Sequence, residues 1–231
     1  MVERAIVLLT FFVLCVLDAN AQKHYRMRTH VETKTVEDSI VLSEESADIY
    51  YDINHNVVIT RFEGLEIVQT LSDEKLTLYK NNKKVSQVAA KGMKQQNVIC
   101  LAVDGLLPDM GLSKSAFLPV SVVKKNTNTL VTYRLTNNVL DTVTSNNTIV
   151  EIIVSYSLNK TDALAAYAKD GKIILKQYFV DYKNYDGINF PTKIIQAVAN
   201  ESGKQIYIKQ TFSNIIVDEQ DNNDSYFFVG N

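Results

Sequence analysis

The chain has 231 residues, is 46% hydrophobic and 22% charged, and sets 24 Lys and Arg against 26 Asp and Glu. That balance gives no general affinity for nucleic acid, and the apolar share supports a sizeable core, so disordered, collagen-like and disulfide-scaffold classes are excluded. Twelve Tyr and nine Phe with many Val, Ile and Thr, against eight Gly and three Pro, point to β structure.

Residues 1–21 read as a signal peptide. Arg4 precedes the apolar run Ala5–Leu17, and Ala19-Asn20-Ala21 puts small residues where a signal peptidase cleaves, so the expected mature domain is 22–231. The run is 13 residues long, short of the roughly 20 that span a bilayer. Every later apolar run is broken by Lys, Asp, Asn or Gln, so no transmembrane span is expected after cleavage. The expected location is periplasmic or secreted. Cleavage removes Cys15 and leaves Cys100 among Val98, Ile99, Leu101, Ala102 and Val103, which reads as a buried small hydrophobe in a domain without an internal disulfide.

The mature sequence opens with the strand-like Lys23–Val36. In Ala47–Ile53, Ile49, Tyr51 and Ile53 alternate with Asp48, Tyr50 and Asp52, the period of a half-buried strand. Asn54-His55-Asn56 is a turn, Val57–Phe62 the return strand, and Leu65–Leu71 the next. Lys75–Tyr79 and Lys83–Ala89 flank Asn81-Asn82, whose residues tolerate the positive φ of a two-residue hairpin turn. Between Gly92 and Leu107 the period changes: Val98, Ala102 and Leu106 repeat at four, as do Ile99, Val103 and Leu107, with Met93 ahead of both rows. A helix is predicted over 92–107, stopped by Pro108 and Gly111. Strand patterns resume at 120–124, 129–136, 148–158, 163–169, 172–182, 191–199 and 205–212, with Asp170-Gly171 as a hairpin turn. The predicted class is mainly β (α+β): one curved antiparallel sheet of about 11 strands with a covering helix, in a single domain. The acidic stretch from Asp218 is expected to lie solvated on the surface.

Catalytic chemistry is hard to find. His24, His30 and His55 have no Cys, Asp or Glu at metal-ligand spacing and read as exposed surface histidines. The spacing Asp218-x-x-Asp221-x-x-Asp224 lacks the alternating ligands and central glycine of a calcium loop. No nucleophile elbow and no phosphate-binding glycine loop are present. No catalytic residue, metal or cofactor is expected.

The apolar face is wider than one helix can cover. Ile49, Tyr51, Ile67, Leu76, Leu78, Val131, Tyr133, Ile152, Val154, Tyr156, Phe179 and Phe212 lie at inward positions of their strands, and Met93, Ile99 and Val103 lie on the helix. A helix is about 10–12 Å wide, whereas ten strands spaced by about 4.8 Å make a far wider sheet. Either the sheet curls into a packed core, or it forms an incomplete barrel with an apolar cleft lined by these residues.

Two stretches resemble a known family. Glu45–Asp52 with its return strand Asn56–Phe62, Leu65–Thr70, the hairpin Glu74–Val85 and the helix resemble the N-terminal half of the outer-membrane lipoprotein carriers, the LolA/LolB-like superfamily of Gram-negative bacteria. Tyr182–Ile194, with Phe212–Ile215 and Asp221–Phe227, looks like the way such domains end. The resemblance implies an unclosed β-barrel whose concave apolar face carries acyl chains of lipoproteins across the periplasm, with an envelope protein as a possible delivery partner. It places the arginine that carriers use in their early strands at Arg61. The family opens with a helix, whereas this chain opens with a strand. The expected function is an exported, non-catalytic carrier or chaperone for a lipid or lipoprotein acyl chain. The alternative is an envelope or secreted interaction module with a packed core and no ligand, presenting Tyr50, Tyr79, Tyr178 and Tyr182 outward.

Overall fold

The computed structural model describes residues 24–89, 97–137, 148–158, 160–199 and 203–218. Residues 1–21, Met93 and the acidic stretch beyond Asp218 lie outside them. Thirteen strands form one antiparallel sheet, ordered β6-β5-β4-β3-β2-β1-β13-β12-β11-β10-β9-β8-β7. They are β1 (Arg26–Glu37), β2 (Ile40–Asp52), β3 (Val57–Phe62), β4 (Leu65–Thr70), β5 (Lys75–Lys80), β6 (Lys83–Ala89), β7 (Phe117–Lys125), β8 (Asn128–Leu135), β9 (Ile149–Ser157), β10 (Lys160–Ala168), β11 (Ile173–Tyr185), β12 (Ile188–Ala199) and β13 (Gln205–Val217). β6 and β7 are not joined, so the sheet is an incomplete barrel with helix α1 (Val98–Val103) on its concave side. The predicted class holds.

Two meanders meet at the centre of this sheet, where β1 pairs with β13 and Val31 lies opposite Phe212. Tight turns set the register. Asn81 and Asn82 take φ of 49° and 62° as their sequence predicts. Asp38-Ser39 and Asp186-Gly187 do the same with positive φ at both positions, so Glu37 pairs Ile40 and Tyr185 pairs Ile188. These two turns lengthen the predicted strands. β2 starts at Ile40 rather than Ala47, and β12 starts at Ile188 rather than Pro191. Residues Ile40–Ser46 are all exposed, so their part of β2 carries no inward–outward alternation for a sequence reading to find.

Among the described residues the helix ends four residues earlier than its periodicity predicts, at Val103 rather than Leu107. Asn97 caps it, its side chain accepting from the Ile99 N–H at 2.9 Å. Its C-cap is Asp104, because Gly105 takes φ of 70°. There the Leu106 N–H reaches the Leu101 carbonyl at 2.7 Å and the Gly105 N–H the Ala102 carbonyl at 3.2 Å, the paired closure that a left-handed glycine allows. Gly105, rather than Pro108, is the stop signal. Two single turns of 3₁₀ helix follow, Leu107–Asp109 and Leu112–Lys114.

The core lies between this helical segment and the sheet. Ile99, Cys100, Leu101, Ala102 and Val103 are buried against Met27, Val31, Tyr51, Phe179, Phe190, Ile194 and Phe212, with Phe190 and Phe212 edge to face at 5.2 Å. Cys100 is fully buried and forms no disulfide, as its apolar neighbours predict.

Candidate functional site

Strand alternation sends one side chain in two towards the helix, and the observed register aligns those positions across the sheet. Ile49 stands opposite Thr60, Thr60 opposite Ile67, and Ile67 opposite Leu78. Tyr51, Val58, Gln69 and Leu76 form the neighbouring row. On the other meander Val131, Val154, Leu164, Gln177 and Gln196 are successive partners, as are Tyr133 and Ile152.

Among the described residues, cavities lie at both ends of the helical segment. One, of about 340 Å³, opens beside the start of α1 and is lined by Ile49, Val58, Thr60, Ile67, Gln69, Leu76, Asn97, Val98, Ile99, Gln177, Ile194, Gln196, Gln210 and Phe212. Five residues named from sequence, Ile49, Ile67, Leu76, Ile99 and Phe212, therefore meet in one cleft. The other cavity, of about 450 Å³, lies at the far end of α1 and takes in Val103, Pro108, Thr161, Tyr182 and Ile188, with the polar His24, Asp104, Lys160 and Asp186. The remaining predicted residues are elsewhere. Tyr51, Ile152, Val154 and Phe179 are buried in the core, Tyr133 and Tyr156 are half-buried against it, and Val131 and Leu78 are half-buried along their strands.

The glutamines are what the sequence reading missed. Each sits two places from an apolar position on the same face: Gln69 after Ile67, Gln177 between Leu175 and Phe179, Gln196 after Ile194, and Gln210 between Ile208 and Phe212. Period-two counting applied to polar residues would have found all four.

Hydrogen bonds pin the helical segment to the sheet. The Tyr51 hydroxyl donates to Asp104 at 2.8 Å, and burial followed by this bond pushes the phenol well above its ordinary pKa. The Thr161 hydroxyl donates to the Pro108 carbonyl at 2.7 Å, and the Tyr182 hydroxyl to the Thr161 carbonyl at 2.7 Å. Tyr133 and Tyr156 share a hydroxyl contact at 3.3 Å on the concave face.

Several polar expectations change. His24 is buried rather than exposed, and its Nδ1 lies 2.6 Å from Asp218. The other Asp218 oxygen accepts from the Tyr25 and Arg26 N–H groups at 2.9 and 3.2 Å. Asp186 completes a group able to hold a metal, with one ligand atom from each residue within 4.8 Å of the others. His24 and Asp218 spend those atoms on each other and on the backbone, so the group clasps the start of β1 to the end of β13. Asp218 thus lies in a bonded site and not in a solvated tail. His30 and His55 also meet aspartates, Asp48 at 2.8 Å and Asp52 at 3.2 Å. Arg61 faces the opposite way from the cleft: Thr60 lines the cleft, and the next residue turns to the convex side, where Arg61 pairs with Glu66 beside Arg28, His30, Asp48 and Tyr50. The tyrosines also divide, since Tyr50 is buried and Tyr182 packs on the core, while Tyr178 is exposed.

No helix among the described residues is long and apolar enough to cross a membrane. No family model matches the sequence, and no curated protein matches it. Solved structures do. A DUF1329 family protein from Desulfovibrio piger is similar with a TM-score of 0.59 at 12% identity, over 94% of this chain and 95% of that one. An outer membrane lipoprotein-sorting protein domain from Vibrio parahaemolyticus gives 0.58 at 11% identity, over 91% and 92%. A LolA superfamily protein from Nitrosomonas europaea gives 0.54 at 12% identity, over 88% and 92%. With an unclosed antiparallel sheet folded around one short helical segment and these neighbours, the chain has a LolA-like fold.

Proposed function

We propose that this protein is an exported, non-catalytic carrier or chaperone that holds the acyl chain of a lipid or lipoprotein against the concave face of its sheet. The observation that carries the reading is the cleft of about 340 Å³ whose apolar wall includes Ile49, Val58, Ile67, Leu76, Ile99 and Phe212, within the size range of small-ligand sites. The LolA-like fold supports it. In this reading residues 1–21 are removed on export to the periplasm, and 22–231 work as one domain that passes its cargo to an envelope partner. Binding is passive. Each methylene removed from water contributes about 0.8 kcal/mol, so a partly buried chain gains several kcal/mol, enough to hold cargo and still release it to an acceptor.

Native mass spectrometry and solvent extraction of the purified protein are expected to yield bound lipid, and a fluorescent fatty acyl probe is expected to bind. Leu76→Glu places a carboxylate on the half-exposed wall of the cleft and is expected to weaken probe binding at least tenfold with little change in stability. A protein that yields no lipid and binds no probe overturns the proposal.

A further inference from the structure

The cleft is not purely apolar, and its polar part has a definite chemistry. Gln69, Gln177, Gln196 and Gln210 enter it from β4, β11, β12 and β13, with Thr60 and Asn97 beside them. No charged residue lines it among the described residues. Gln69 is the telling member: it is only 9% exposed, it lines the cleft, and since no buried side-chain N or O atom among the described residues lacks a partner, its amide is not sealed off unsatisfied but keeps its access to the cleft. Gln177 and Gln196 are direct cross-strand partners, and Gln210 pairs with Ile194 one strand further on.

An alkyl chain laid over these amides would strip their water and return nothing, leaving each group unsatisfied. A carboxylate or phosphate would satisfy only the N–H donors, leave the amide oxygens facing negative charge, and meet no cation among the described lining. Hydroxyl groups both donate and accept, as amides do.

We infer that this cleft receives the neutral, hydroxyl-rich head group of a glycosylated amphiphile through Gln69, Gln177, Gln196 and Gln210, while the neighbouring apolar wall receives the start of its alkyl chain. This rests on the carrier reading and names its ligand class.

The test compares ligands of one chain length on purified, delipidated protein by titration calorimetry below their micelle concentrations: dodecyl maltoside, dodecyl phosphate, dodecanoate and free maltose. Dodecyl maltoside is expected to bind at least tenfold more tightly than the two anions. Gln69→Met with Gln196→Met, which keeps side-chain length and removes hydrogen bonding, is expected to abolish that preference by weakening dodecyl maltoside at least tenfold. Should the double variant not fold, Gln210→Met alone, at a more exposed position, is expected to narrow the preference about threefold. Equal binding of all three amphiphiles, or a preference that survives the substitutions, overturns the inference and leaves the carrier reading standing. Free maltose binding as tightly as its dodecyl derivative supports the hydroxyl-recognising site and overturns the carrier reading. Binding of none of the four overturns both.

Discussion

At the scale of single residues, Asp52 shows how the sheet tolerates a buried charge. Its side chain has no exposed surface, yet Arg26 approaches at 2.8 Å, the His55 N–H donates at 2.9 Å and the His55 ring lies at 3.2 Å. Burial alone would raise its pKa, but the His55 backbone and side-chain hydrogen bonds and the Arg26 charge outweigh that and hold the carboxyl below its ordinary value. The stability it contributes is therefore complete above about pH 4, the unfolded value, and is lost as the pH falls through the lower folded value. Asp52→Asn removes the negative charge facing Arg26 and is expected to cost about 3 kcal/mol at pH 7. The deficit should shrink towards pH 3 in urea unfolding, because the wild type loses the same interaction on protonation. Asp52 was legible only as the polar member of an alternating strand. Its partner Arg26 is 26 residues away, and nothing in the order of residues says which basic group a turn will bring back. The glutamines of the cleft are hidden differently: their positions are countable, but an alternation of apolar residues marks only the apolar members of an inward face and gives no weight to an amide between them.

At the scale of elements, α1 and the turns after it form a plug tied to the sheet by hydrogen bonds. Tyr51 ties Asp104, and Thr161 ties Pro108. Tyr51→Phe is expected to cost about 1.5 kcal/mol, the usual contribution of a hydrogen bond to a charged acceptor. Hydrogen exchange should quicken at Val103 and Asp104 more than in the strands beneath. The helix's existence was readable from the four-residue repeats of Ile99 and Val103. Its end was not, because Gly105 falls inside that apolar pattern and acts through its backbone. The free edges are the other element-scale feature. Every residue of β6 is exposed, as is β7 from Leu118 onward, with Val122 at 65%. Lys83, Lys84, Lys124 and Lys125 at their ends oppose pairing with other chains. Val122→Lys is expected to slow association at high protein concentration in light scattering, with stability changed by no more than about 0.5 kcal/mol.

At the scale of the whole molecule, cohesion comes from one continuous sheet and the core under the plug. With Cys100 fully buried and outside any disulfide, reductant is expected to leave the melting temperature of the protein lacking residues 1–21 unchanged within about one degree, in contrast to domains stapled by disulfides. The class of fold and most strands were legible because alternation and Asn-Asn or Asp-Gly turns are local signals. The pairing of β1 with β13 was not, since it joins Val31 to Phe212 across nearly the whole length and leaves no local trace.

That central pairing sets the order in which the protein can be completed. The first meander is ready early, but β1 must wait for the last strand to be synthesised before its second flank is covered. A ribosome that stalls before β13 releases two half-sheets with raw inner borders, β1 and the isoleucine-rich β12, each with an unpaired row of backbone groups primed to stick. Holding the polypeptide unfolded until it is finished would spare the cell that hazard, and a chain threaded through a translocase in an extended state meets that condition.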